Sequence, residues 1–148
     1  MKIYIASDHN GIEKVKFLQN ALKEYDVEKI NLENSEDDDY PDFAFNLCKK
    51  VLNNNDSLGI LLCGNGVGMA IAANKVKGIR CGKVSNVDEA YAAKIHNEAN
   101  VIALGSKIDN FTLLSIVKKF ITTSSENVLR HKRRVEKIIK YENGEYNV

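Results

Sequence analysis

Short apolar runs that alternate with stretches of helical spacing, polar or glycine-bearing turns after the runs, and a single proline in 148 residues predict an α/β chain. The expected architecture is a three-layer α/β/α, Rossmann-like domain with a five-stranded, mostly parallel sheet and an extended basic C-terminal helix. Residues 1–148 make one domain in this reading, because no linker, repeat or composition break divides them.

The first strand is Lys2–Ala6, followed by Ser7-Asp8-His9-Asn10-Gly11. Ile12, Val15, Leu18, Ala21 and Leu22 then recur along one helix face. A second strand runs roughly from Val27 to Leu32. Pro41 suits the first turn of the next helix, where its missing N–H costs nothing, and Ala44, Leu47, Cys48 and Val51 continue that face. Leu58–Leu62 is apolar throughout, as expected of a strand covered on both sides. Helices over Val67–Asn74 and Val87–Asn97 flank a fourth strand, Ile79–Val84. Val101–Leu104 is the fifth, and Asp109 caps a helix over Asn110–Thr122. The last helix, about Glu126–Tyr141, is strongly basic.

Charge and composition remove several functions. Lys plus Arg number 21 against 20 Asp plus Glu, a net charge of +1, which argues against nucleic acid or an anionic membrane as partner. No apolar run approaches the roughly 18 residues of a membrane span, and the N-terminus lacks a signal peptide's long apolar stretch. Cys48, Cys63 and Cys81 cannot all pair, and none forms a C-x-x-C motif. A cytoplasmic, disulfide-free protein is expected.

In doubly wound sheets ligands bind beyond the carboxyl ends of the strands, where strand order reverses. The loops after the first, third and fifth strands are therefore the candidates. In the first, Asp8 or Asn10 can cap the following helix, while Asp8 and His9 also suit proton transfer or phosphate binding. The third-strand loop, Cys63-Gly64-Asn65-Gly66-Val67-Gly68, runs straight into a helix. Alternating glycines let main-chain N–H groups converge, and the helix N-terminus adds its positive dipole end, so the loop forms a nest for an anion or developing oxyanion. It is not a P-loop, which would end Gly-Lys-Ser/Thr where this chain has Gly68-Met69-Ala70. A dinucleotide fingerprint would place glycine, and a tyrosine-phosphatase loop arginine, at Met69. A receiver domain would place its phosphoacceptor Asp at Cys63.

A strand-end cysteine is ordinarily an inert small hydrophobe, which describes Cys48 and Cys81 on apolar faces. Cys63 differs, because a helix N-terminus and converging amides favour a thiolate. His96-Asn97 ends the fourth helix, where a histidine can simply complement the dipole; here it is expected at or near the carboxyl side of the sheet. Arg130 and Arg134, at i and i+4, can together hold a phosphate dianion, whereas Lys132 and Arg133 read as a solvated face. The acidic run Glu36-Asp37-Asp38-Asp39 has no metal-ligand pattern and reads as a solvated loop.

Taken together, SDHNG, Tyr40-Pro41, CGNGVGMAIAANK, GIRCGKV, HNEAN with VIALGSK, and RHKRRVE resemble the ribose-5-phosphate isomerase B family, which includes the galactose-6-phosphate isomerase subunits. The likeness runs nearly end to end. It implies a metal-free and cofactor-free aldose–ketose isomerase that moves a proton between C2 and C1 of a sugar phosphate through an enediolate. By that resemblance Cys63 takes the proton and the amides of Gly64, Asn65, Gly66, Val67 and Gly68 cradle the oxyanion. His96, with Asp8, opens the furanose ring. Tyr40 and Asn97 contact the sugar, and His9, Arg130 and Arg134 hold the phosphate.

The resemblance also implies a dimer or tetramer whose sites draw on two subunits, the basic last helix serving the neighbour. Asn65 replaces the Thr usual beside the cysteine, and Lys107 stands where relatives often have Arg. Val67 stands where one branch has Glu, which leaves Cys63 as the loop's sole candidate base. Ribose 5-phosphate is the leading substrate; a hexose 6-phosphate, or a non-catalytic sugar-phosphate sensor, are the alternatives.

Overall fold

A computed structural model describes residues 1–148. Its elements run β1 (Lys2–Ser7), α1 (Ile12–Ala21), β2 (Asp26–Lys29), α2 (Tyr40–Leu52), β3 (Ser57–Cys63), α3 (Val67–Asn74), β4 (Cys81–Lys83), α4 (Val87–Asn97), β5 (Val101–Gly105), α5 (Asn110–Thr122) and α6 (Leu129–Glu142), with a 3₁₀ turn at His9–Gly11. The sheet order is β2-β1-β3-β5-β4. Every pairing is parallel, so the expected "mostly parallel" sheet is wholly so. After β2 the chain crosses back over β1 to place β3 on its other side, and the order reverses between these two strands.

Right-handed crossovers put helices on both faces. On one, Val15, Leu18 and Leu22 of the α1 segment, Ala90 and Ala93 of α4, and Leu113, Val117 and Phe120 of α5 pack on Ile3, Ile5, Ile60 and Ile102. On the other, Phe43, Leu47 and Cys48 of α2 and Met69 and Ala73 of α3 pack on Tyr4, Leu61 and Ala103. Alternate residues of one strand thus feed opposite cores, and β3 is buried at every position.

Element ends are where expectation and structure part. β2 stops at Lys29 rather than Leu32, since the chain turns away toward the bonded Asn34–Asp38 turn. β4 begins at Cys81 rather than Ile79; the Arg80 amide bonds the Asn100 side chain instead of a neighbouring strand. The last helix starts at Leu129, not Glu126. The Thr122 and Thr123 hydroxyls bond back to the carbonyls of Lys118 and Lys119 as α5 ends, and Val128 is extended (φ −94°, ψ 113°). α6 packs on α4 of its own chain through His131 and Val135. Leu129, Ile139 and Tyr141 remain exposed. No helix is long and apolar enough to cross a membrane.

Candidate active site

The loops after β1 and β3 meet at the point of order reversal. Asp8 is buried there, and its Oδ1 accepts the Asn10 amide at 2.9 Å, so Asp8 rather than Asn10 is the cap of this turn. Cys63 ends β3 only 4% exposed, at the margin of the core and within the apolar cluster that α2 and α3 form on the sheet. Its Sγ faces the loop and accepts the Gly66 N–H at 3.2 Å. The Asn65 side chain bends back to accept the Val67 amide at 3.0 Å, closing a turn of its own. The amides of Gly64, Asn65 and Gly68 have no acceptor within the chain. Three free donors at the start of α3 form an anion cradle beside the sulfur.

The glycines are required by close approach. Gly66 has φ +81°, and a Cβ there would lie 2.8 Å from the Leu104 carbonyl carbon. A Cβ on Gly68 would lie 2.7 Å from the Tyr40 ring. The first residue of α2 therefore lays its aromatic face on the glycine turn, and Tyr40 walls the cradle. Val67 points outward and exposed, with no group to exchange a proton.

His9 is held from a distance in sequence. Its Nδ1 lies 2.6 Å from Asp38 Oδ1, and its main-chain N–H donates to the same oxygen at 3.0 Å. Asp38 Oδ2 accepts from Asn34 Nδ2 at 2.9 Å and from the Ser35 amide at 3.2 Å. The acidic run is thus not a solvated loop throughout: the Asp38 side chain is only 7% exposed. Burial pushes the Asp38 carboxyl up, but the bonds from Asn34, His9 and Ser35 outweigh it and leave it below its usual range. The Asp38 bond raises His9 above its ordinary 6.5, against partial burial, with help from the charges of Asp38, Asp8 and Asp37. Asn34 and Asp38 were missed as site residues; the Asn-Ser pair before the acidic run, a turn-forming composition, was the available signal. Polar atoms of Asp8, His9 and Asp38 lie within 4.8 Å of one another, but they are spent on the His9–Asp38 bond and the Asn10 amide rather than arranged around a cation.

The structure does not bring His96 and Asn97 to this place. A crossover helix runs antiparallel to its strands, so the end of α4 lies at the amino edge of the sheet, not near the carboxyl edge as expected. Cys63 pairs with Gly105 at one end of β5 and Gly59 with Val101 at the other, about 13 Å of strand apart. At the amino edge, Arg80 donates to the carbonyls of Asn97 and Glu98, and Asn100 bonds the Arg80 amide and the Gly78 carbonyl. This network, also missed, fixes the turn after His96. The His96 ring lies 4.5 Å from that of His131, tilted by 52°. Burial holds His131 below its ordinary 6.5; His96, Arg130 and Arg134 push the same way, against Glu126.

Arg130 and Arg134 are exposed on α6 beside that pair and make no ion pair within the chain. A cleft of about 840 Å³ lies at this edge, between α6 and the turn before β4, and Asn97 lines it. Lys107, just after β5, is exposed at the carboxyl edge. Cys48 and Cys81 are spectators: burial pushes the Cys48 thiol up to about 12 and raises Cys81 further still.

The chain matches the Ribose/Galactose Isomerase family over residues 3–138. The probable ribose-5-phosphate isomerase B of Mycoplasma genitalium is 42% identical over 145 residues, 95% of each chain. The putative sugar phosphate isomerase YwlF of Bacillus subtilis is 38% identical over 145 residues, 96% of this chain and 97% of that one. Among solved structures, ribose-5-phosphate isomerase B of M. genitalium with bound ribulose-5-phosphate superposes with a TM-score of 0.90 at 41% identity, covering 96% of both chains. Ribose-5-phosphate isomerase B of Clostridium thermocellum reaches 0.90 at 36%, covering 99% of this chain and 100% of that one. With the family match running almost end to end on a shared fold, the chain belongs to the ribose/galactose isomerase family and is an isomerase.

Proposed function

We propose that this enzyme interconverts ribose 5-phosphate and ribulose 5-phosphate in the cytoplasm, with Cys63 as the base. The observation that carries this reading is the Cys63 Sγ accepting an amide at 3.2 Å beside three free amides. In the open-chain aldose, the thiolate takes the C2 proton, and the C–H electron pair forms the C1=C2 bond of an enediolate. The charge that develops on O1 meets the free amides of Gly64, Asn65 and Gly68, while those of Gly66 and Val67 are taken by Cys63 and Asn65. Such fixed donors are of the kind whose single loss costs about 10²–10³ in rate. The proton returns from Sγ to C1, the O2 hydrogen passes to O1, and C2 becomes the ketone while C1 becomes the primary alcohol. Electrons never leave the substrate, so the chemistry calls for no redox cofactor.

Two copies of the chain complete the site in this reading. One supplies Asp8, His9, Tyr40, Cys63 and the glycine turn; the other supplies His96, Asn97, Arg130 and Arg134. His96 with Asp8 opens the ring, Tyr40 and Asn97 hold the sugar, and His9 with the two arginines takes the phosphate. The phosphate, remote from C1 and C2, contributes binding free energy that orients the reacting carbons. The separation of the halves within one chain supports this assembly, as do Val67 and Ile71, exposed beside the cradle on α3.

Turnover of ribose 5-phosphate, measured without added metal beside galactose 6-phosphate and allose 6-phosphate, tests the assignment. The pentose is expected to be preferred, with solvent deuterium entering the product. A preference for a hexose phosphate would move the substrate assignment, and absence of both turnover and exchange would reject it.

A further inference from the structure

Asp38 takes no part in the proposed proton transfer, yet both its oxygens are fully engaged. Oδ1 takes two bonds from His9, one from the main chain and one from the ring, while Oδ2 takes Asn34 and Ser35. Two bonds from one residue fix the direction of its imidazole and assign the Nδ1 hydrogen to the carboxylate. Nε2 is then the ring nitrogen left for a ligand, and the ring is 38% exposed against 7% for Asp38. A neutral imidazole held this way would turn a lone pair outward, which repels an anion; the cation turns out an N–H.

We propose that Asp38 is a positioning residue for phosphate recognition: it aims the His9 ring and holds it as the imidazolium, so that Nε2–H faces the substrate's phosphate dianion. This rests on the reading of His9 as a phosphate contact. Within the chain the charged groups facing His9 are all acids, Asp8 beside it in the β1 loop and Asp37 and Asp38 from the turn before α2, and each favours the cation. Burial opposes, as do Arg130 and Arg134 of the partner subunit in the proposed shared site. A sugar phosphate becomes a dianion above about pH 6. Raising His9 above 6.5 therefore widens the interval in which dianion and imidazolium coexist, and binding fades as pH climbs through the His9 midpoint.

The chain has three histidines, so their imidazole carbon-bound proton signals can each be followed by NMR, with His9 assigned by its loss in His9→Gln. In Asp38→Asn the His9 midpoint is expected to fall toward 6.5 while those of His96 and His131 stay. KM for ribose 5-phosphate at about pH 7.5 should rise roughly 3- to 10-fold with kcat within about twofold, and the alkaline limb of 1/KM should move down with the His9 midpoint. An unmoved midpoint, or an unmoved KM despite a moved midpoint, overturns the proposal. The wild-type titration tests it independently of the variant's stability, since a His9 midpoint at or below 6.5 also overturns it. Saturating inorganic phosphate is expected to raise the wild-type midpoint further; no response to phosphate or to ribose 5-phosphate would instead remove His9 from the phosphate site.

Discussion

At the carboxyl edge of the sheet, Asp8 and Cys63 are buried, bonded to main-chain amides and walled by Tyr40. At the amino edge, His96, Asn97, Arg130 and Arg134 stand exposed on helix ends and surfaces, and the two guanidinium groups lack a carboxylate partner. In the proposed reading the first edge is arranged for chemistry before any ligand arrives, because amide donors and the Cys63 sulfur are held by tight turns at the ends of apolar strands. The second presents charge and hydrogen-bonding capacity outward, as a surface does when its complement lies on another molecule. Preorganisation is cheap where the backbone itself supplies the donors; long cationic side chains wait for an anion to order them.

The sharpest way to break this contrast is to remove the base. Cys63→Ala should lower kcat by about 10³-fold or more while circular dichroism and Tm stay near wild type; robust turnover would end the assignment of chemistry to the carboxyl edge. Mixing tests the division between copies. Cys63→Ala and His96→Ala, each nearly inactive alone, should on subunit exchange recover roughly a quarter of wild-type activity, because half of the dimers carry one intact site. No recovery under verified exchange would put both residues in one chain's site.

Arg130→Ala should raise KM about 10- to 100-fold, the loss of a charge-assisted bond to phosphate, with a far smaller change in kcat. An unchanged KM would take α6 out of substrate binding. Gly66→Ala addresses the cradle itself. Its positive φ and the 2.8 Å approach to Leu104 should cost about 1–3 kcal/mol in chemical denaturation, together with most activity.

The smallest effect concerns pH and the docking of α6. His131 titrates below 6.5 in the folded chain, so the unfolded chain binds more protons in the interval beneath 6.5. Its stabilising contribution is present above about pH 6.5 and is lost as pH falls through the folded value. His131→Phe should therefore flatten part of the decline in Tm between about pH 7 and pH 5; an identical decline would mean that the His96–His131 contact does not titrate with folding.

Much of this architecture is legible in the chain because its elements obey strong local rules. Leu58–Leu62 is continuously apolar, Pro41 opens α2, and Asp109 accepts the Thr112 amide as a cap should. The cysteine-glycine turn is recognisable because few other uses explain alternating glycines between a strand and a helix. The misplaced ends, at β2, β4 and α6, fall where side-chain bonds replace regular main-chain ones, local at Asn34–Asp38 and at Thr122 and Thr123, and remote only between Asn100 and the Arg80 amide. The edge on which His96 lies is legible in element order, since a helix that feeds a parallel strand ends where that strand begins; spacing from the glycine turn was the wrong signal. Asp38 was read as solvated because its partner lies 29 residues earlier.

Local chemistry alone thus determined the alternation of strands and helices, the nest after β3 and the one cysteine placed to use it, since each depends on neighbours within a turn or two. Tertiary structure decided that the Tyr40 ring lies on Gly68 and that a buried carboxylate holds His9. Those outcomes follow from packing and hydrogen bonding between segments distant in sequence, which meet only once the sheet has formed.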